Sequence, residues 1–119
     1  MSEPFELAEI KAGVRSGGKI LGAFIVERPE VEGEPVFVVY FRADWTQSRR
    51  FRILCRFRRA EGVRTYKNLG TLMATIRSIG YDGRVTIYPS GDVELHRFSG
   101  VLAEDLADTP APEGAAQDI

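Results

Sequence analysis

The sequence of 119 residues contains one cysteine, Cys55, and one histidine, His96. A single thiol cannot close an internal disulfide, and one cysteine with one histidine cannot build a Cys/His metal cage, so neither a disulfide scaffold nor a zinc module is expected. No apolar run approaches the roughly 18 residues that suggest a membrane span. The opening residues, Met1-Ser2-Glu3-Pro4-Phe5-Glu6, are acidic and carry neither the basic nor the apolar region of a secretory signal. A protein of the reducing cytoplasm without membrane attachment is the expectation.

Catalytic groupings are equally scarce. His96 has Glu94 as its same-face neighbour two residues back, but no nucleophile elbow accompanies the pair, and both read as exposed polar positions. Cys55 lies between Ile53 and Phe57 in an alternating stretch and reads as a small core residue rather than a reactive thiol. The glycine cluster Gly13-Val14-Arg15-Ser16-Gly17-Gly18-Lys19 is followed by a strand pattern, whereas a phosphate-cradling loop leads from a strand into a helix. It reads as a connector. Asp44, Asp82 and Asp92 have the neighbours of turn residues and no metal-ligand spacing. The chain is therefore expected not to be an enzyme, and to use no metal, cofactor or small-molecule substrate.

What is present is enough for one hydrophobic core, since 44% of the residues are apolar. Residues 1–18, with Phe5, Leu7, Ala8 and Ile10 before Gly13, suit an N-terminal arm or short helix. Two short apolar runs follow, Ile20 to Val26 and Val36 to Arg42, separated by an acidic turn-rich loop. Both are apolar on each face, so each needs cover on both sides of a sheet. Arg49 to Arg59 alternates with period two, setting Phe51, Ile53, Cys55 and Phe57 on one face and Arg50, Arg52, Arg56 and Arg58, with Leu54, on the other. Leu69, Leu72, Met73, Ile76 and Ile79 recur at helical spacing, with Thr65 or Asn68 as N-cap and Gly80 as the stop, which predicts a helix from about Tyr66 to Ile79. Arg84 to Tyr88 and Val93 to Phe98, joined by Pro89-Ser90-Gly91-Asp92, read as a hairpin.

The predicted fold is thus α+β, a mostly antiparallel sheet of about five strands in the order β-β-β-α-β-β with one amphipathic helix on one face. The domain occupies residues 19–98, and residues 99–119 form an acidic tail that is expected to be disordered. The helix is expected on the Phe51/Ile53/Cys55/Phe57 face, which turns the arginines outward. One helix leaves the other face partly bare, and either the N-terminal segment or a second copy in a homodimer should cover it.

Charge supplies the functional clue. Net charge is only −1, yet residues 49–67 hold eight bases and one acid, Glu61, leaving a surplus of eight negatives elsewhere. The bases are Arg49, Arg50, Arg52, Arg56, Arg58, Arg59, Arg64 and Lys67. Guanidiniums two residues apart on a strand stand about 6.6 Å from one another, close to a phosphate repeat, and their planar forks suit bidentate phosphate contacts. Trp45 and Tyr66 are the nearest aromatics for stacking a base, with Tyr81 and Tyr88 also available if exposed. A nucleic-acid-binding accessory or regulatory protein follows, with DNA a better partner than RNA. Two other readings stay open: arginine stems that only cover apolar surface and pair with the acidic loop, and a protein-interaction module with no nucleic-acid role.

The stretch Arg64-Thr65-Tyr66-Lys67-Asn68-Leu69-Gly70-Thr71-Leu72-Met73-Ala74-Thr75-Ile76-Arg77-Ser78-Ile79-Gly80-Tyr81 resembles a segment of small accessory proteins encoded on plasmids and conjugative elements. There a basic strand leads into a helix ending in Arg-x-hydrophobic-Gly and then a further strand. The resemblance implies a non-enzymatic role in plasmid maintenance, partition or transfer, with DNA or a protein partner. It assigns no site residue.

Overall fold

The computed structural model describes residues 4–29, 33–46, 48–55 and 62–106. In chain order the regular elements are β1 (Phe5–Glu6), α1 (Leu7–Arg15), β2 (Ile20–Arg28), β3 (Val36–Ala43), β4 (Arg52–Cys55), α2 (Leu69–Ser78) and β5 (Val85–Pro89). The five strands form one sheet in the order β1-β4-β3-β2-β5. β2/β3 and β3/β4 are antiparallel, while β1/β4 and β2/β5, the two outer pairs, are parallel. The molecule is α+β as expected, but the sheet is mixed and two helices accompany it. Each parallel pair exists because a helix carries the chain back along the sheet before the next strand begins, which a hairpin cannot do.

The predicted final strand is instead a 3₁₀ helix over Val93–Arg97. Asp92 caps it by accepting from the Glu94 N–H at 2.8 Å. The i,i+3 spacing then presents Leu95 and Phe98 to the same apolar cluster, which strand alternation would have separated. α1 begins where the Glu6 N–H donates to Glu9 Oε1 at 3.4 Å, and α2 where Asn68 Oδ1 accepts from the Thr71 N–H at 2.9 Å. α2 ends on Gly80, whose φ of 97° lies in the left-handed region that glycine enters most easily.

The sheet separates two apolar clusters. On one face Phe5, Ile10, Ile25, Phe41, Leu54, Leu72 and Ile76 pack together, so both helices cover the same side. On the other, Phe24 stacks on Tyr40 and Phe98 at centroid distances of 4.9 and 4.5 Å and meets Phe51 at 4.9 Å. Leu95, Val101, Leu102 and Leu106 close over these rings. The cover for the second face is therefore residues 93–106, neither the N-terminal segment nor a second copy. Residues 99–106, expected in a disordered tail, are part of the fold.

Candidate functional site

The outward arginine face is corrected by the packing of β4. Leu54 lies in the helix-side cluster, while Ile53 and Phe51 belong to the opposite one. Alternation thus holds, but the faces are exchanged: the aromatic side of this strand meets Phe24 and Phe98, and the Leu54 side meets the helices. The Arg52 guanidinium consequently lies 5.4 Å from the centroid of the Phe5 ring, and its Nε is buried without a hydrogen-bond partner. Arg52 is a packed side chain, half-buried at the sheet margin.

The other sequence-predicted bases divide between the two ends of the sheet. Arg49 and Arg50 are exposed in the connection from β3 to β4. Arg50 Nη1 reaches Ser99 Oγ at 3.3 Å. Arg64 and Lys67 lie towards the opposite end, where the Arg64 N–H donates to the Leu54 carbonyl and Tyr66 pairs with Phe37 at the start of β3. The Arg64 guanidinium sits 5.7 Å from the Tyr66 ring centroid. Arg56, Arg58 and Arg59 lie outside the described residues.

Neither proposed stacking residue offers an open ring. Tyr66 is 9% exposed beneath Arg64, with its hydroxyl buried and unpartnered. Trp45 is half-buried with its indole seated against the backbone of Gly13 and Gly18, and a Cβ on either glycine would collide with the ring. Phe5 supports it at a centroid distance of 6.2 Å. The glycine cluster that resembles a phosphate loop is therefore the seat of a tryptophan.

What sequence reading missed is the company that Arg49 and Arg50 keep. β2, β4 and β5 all start at one end of the sheet and β3 finishes there. Both helices run back against these strands, so their last turns, bearing Arg15 and Arg77, arrive at the same end. Lys19 precedes β2 and is tied to the β3–β4 connection: its N–H donates to Asp44 Oδ1 and its carbonyl accepts from the Asp44 N–H, both at 3.0 Å. Arg84 immediately precedes β5, and Arg77 Nη1 donates to the Tyr81 and Gly83 carbonyls at 3.1 and 3.0 Å.

Six exposed bases, Arg15, Lys19, Arg49, Arg50, Arg77 and Arg84, thus share this end with two exposed acids, Asp44 and Asp82. A groove of about 490 Å³ bordered by Val14, Lys19, Ile79, Tyr81 and Asp82 runs between the helix ends, and Lys11 and Arg15 line its continuation. Among the described residues Arg15, Lys19, Arg49, Arg77 and Arg84 form no ion pair. These bases are dispersed over some 70 positions of sequence, and only the parallel strand starts bring them together.

At the opposite end, where Arg64 and Lys67 also lie, one cluster of charge is satisfied internally. Asp105 is fully buried and accepts from Arg28 Nε and Nη2 at 2.7 and 2.8 Å and from the Tyr40 hydroxyl at 2.5 Å. Arg28 Nη1 also pairs with the exposed Glu104 at 2.8 Å, and the Leu102 N–H donates to the Tyr40 oxygen at 3.0 Å. Burial, reinforced by the hydrogen bond to Asp105, drives the Tyr40 hydroxyl well above its ordinary range, so it stays protonated. Burial alone would lower the Arg28 pKa, but the hydrogen bond and charge of Asp105, with Glu104 beside it, raise it. This clasp fastens residues 102–106 to β2 and β3. It completes its own hydrogen bonding and leaves no group directed at a ligand.

Among the described residues no three His, Cys, Asp or Glu side chains converge on a point where a metal ion would bind, and no helix is long and apolar enough to cross a membrane. His96 and Glu94 are both exposed on the 3₁₀ helix, and Cys55 is buried. No family model, curated protein or solved structure matches this chain.

Proposed function

We propose that this protein binds nucleic acid, duplex DNA in preference to RNA, through the basic end of its sheet, as a non-catalytic accessory or regulatory protein. The observation that carries this reading is the gathering of exposed bases, in excess over Asp44 and Asp82, at one end of the sheet. The carboxylates of Glu104 and Asp105 are tied to Arg28 at the other end, so they do not neutralise Arg15, Lys19, Arg49, Arg77 and Arg84. A cluster of exposed guanidiniums and one ammonium around a shallow groove is suited to phosphates, which need charge and multiple donors rather than a shaped pocket. Arg49, Arg50 and Lys19 are its centre, and Arg15, Arg77 and Arg84 extend it. The resemblance of residues 64–81 to plasmid and conjugative-element proteins agrees with such a role.

Titrating the protein into a labelled 20-base-pair duplex, taken as about two helical turns, at two salt concentrations tests the reading. Micromolar binding that weakens steeply with salt is expected, with a log–log slope of about −0.9 for each phosphate neutralised. Absence of binding at about 100 μM protein and low salt, or an affinity indifferent to salt, overturns it. Tight binding of an acidic protein together with that outcome would assign the same surface to protein docking.

A further inference from the structure

We propose that the groove between the helix ends holds one unpaired nucleotide of the bound strand, its base beside Tyr81 on the apolar floor and its phosphate against Lys11 and Arg15. This rests on the polyanion reading above and adds the form of nucleic acid preferred, a duplex with a single-stranded end. Phosphates alone call for cations and hydrogen-bond donors. They make no use of an apolar floor, yet Val14, Ile20 and Ile79 give this groove one. Its two lobes, of about 490 and 320 Å³, are of the size that small ligands fill. Val14, Ile79 and Gly80 border both lobes, so one ligand can extend through them.

The aromatic wall is fixed before any ligand arrives. The Tyr81 hydroxyl donates to the Arg84 carbonyl at 2.7 Å, and its ring lies so close to Gly83 that a Cβ there would collide with it. Arg77 Nη1 holds the carbonyls of Tyr81 and Gly83, on either side of Asp82. A turn already held in this way loses little freedom when a base stacks on its tyrosine.

Charge is divided along the groove. Lys11 and Arg15, one turn apart on α1, line the smaller lobe, while the larger has Lys19 and the single bordering acid, Asp82. Asp82 is exposed and forms no ion pair among the described residues. A bare phosphate or a fatty carboxylate has nothing to offer this acid, and an acidic peptide is repelled by it. A nucleotide matches both lobes, because adenine, guanine and cytosine carry amino donors at the end remote from the phosphate. The negative ends of the two helix dipoles are muted, since their last carbonyls are occupied. Those of Ala12, Gly13 and Val14 accept from the N–H groups of Ser16, Gly18 and Gly17, and those of Thr75 and Arg77 from Ile79 and Gly80.

The surroundings select a strand over a free nucleotide. Arg77 and Arg84 flank the turn that walls the groove, and Lys19 is bonded through its backbone to Asp44, in the connection that bears Arg49 and Arg50. Phosphates held by these bases deliver the adjoining unpaired nucleotide at high effective concentration, which an open groove needs in order to retain it.

Titration of a blunt labelled duplex, and of the same duplex carrying a short single-stranded overhang on either strand, tests the inference. The overhang is expected to tighten binding by at least about fivefold, the low end for one stacked base. Tyr81→Leu should remove most of that gain. Lys11→Gln, at an exposed site, should lower the salt slope of overhang binding by about 0.7 and leave blunt binding within about twofold of wild type. Circular dichroism matching wild type establishes that each variant folds, and Lys11→Gln decides the matter if Tyr81→Leu does not. Equal affinity of wild type for blunt and overhang duplexes, or a gain that the folded variants keep in full, overturns the groove. A nucleoside monophosphate that binds as tightly as the overhang duplex overturns the need for a strand. Binding of a single-stranded oligonucleotide that Lys11→Gln weakens, with no binding of either duplex, upholds the groove and overturns the duplex reading. No binding of any of these probes overturns both.

Discussion

At the end of the sheet where β2 finishes, Arg28 is held by both oxygens of a buried carboxylate, and a tyrosine hydroxyl completes the set. At the end where β2 begins, Lys19, Arg49, Arg77 and Arg84 are exposed and form no ion pair among the described residues. The same residue type thus fastens the chain in one place and presents charge in the other. The difference follows from what surrounds each guanidinium: a buried one destabilises the fold unless it is fully paired, whereas an exposed one contributes little to stability and remains available.

Removing the clasp carboxylate should have the largest effect. Asp105→Ala leaves Arg28 and the Tyr40 hydroxyl without their shared acceptor, and a loss of about 3–5 kcal/mol in urea unfolding is expected. A change below about 1 kcal/mol would mean water replaces the carboxylate and the clasp is not structural. Next comes Gly18→Ala, which forces the Trp45 ring off its seat at the basic end and should cost about 1–3 kcal/mol. It should also quench or shift tryptophan fluorescence, since Trp45 is the sole tryptophan.

Alkaline pH separates the two ends without altering either. Tyr40 keeps its proton in the folded protein past the point where an unfolded tyrosine, with its ordinary pKa of 10.0, releases it. Its contribution is therefore fully present below about pH 10 and is lost as pH rises further, by about 1.4 kcal/mol per pH unit. Tyr40→Phe should lower stability by about 0.5–1.5 kcal/mol at neutral pH and flatten that alkaline decline. An unchanged slope would assign the decline to other groups. The smallest effect on stability belongs to Arg49→Gln with Arg50→Gln, within about 0.5 kcal/mol of wild type. The same pair should reduce the salt slope of DNA binding by about two, and an unaltered slope would remove them from the interface.

Much of the fold is legible from local pattern. The apolar runs of β2 and β3, the helical stripe of Leu72 and Ile76 with its Asn68 cap and Gly80 stop, and the short strand before Pro89 all stand where periodicity places them. What local pattern does not carry is pairing. β1 is two residues long, and its parallel partner is some 50 positions away. Val93 and Leu95 fit strand alternation while Leu95 and Phe98 fit 3₁₀ spacing, and the Asp92 cap starts the 3₁₀ helix that brings the second pair together. The face of β4 is ambiguous for a related reason. Alternation separates Leu54 from Ile53 but does not name which neighbour each meets, and here both sides of the sheet are covered. The basic end is hidden for the same cause, because its six members come from five separate segments joined only by strand direction.

Residues 93–106 also impose an order of events. All five strands are complete once Pro89 has been made, yet Phe24, Tyr40 and Ile53 still lack the side chains that roof them. A nascent chain halted at this stage presents a row of stacked aromatic rings to its surroundings, the kind of surface that chaperones hold and that drives aggregation. Synthesis past Leu106 supplies the missing roof and its fastening together, so escape from that vulnerable interval is a single step.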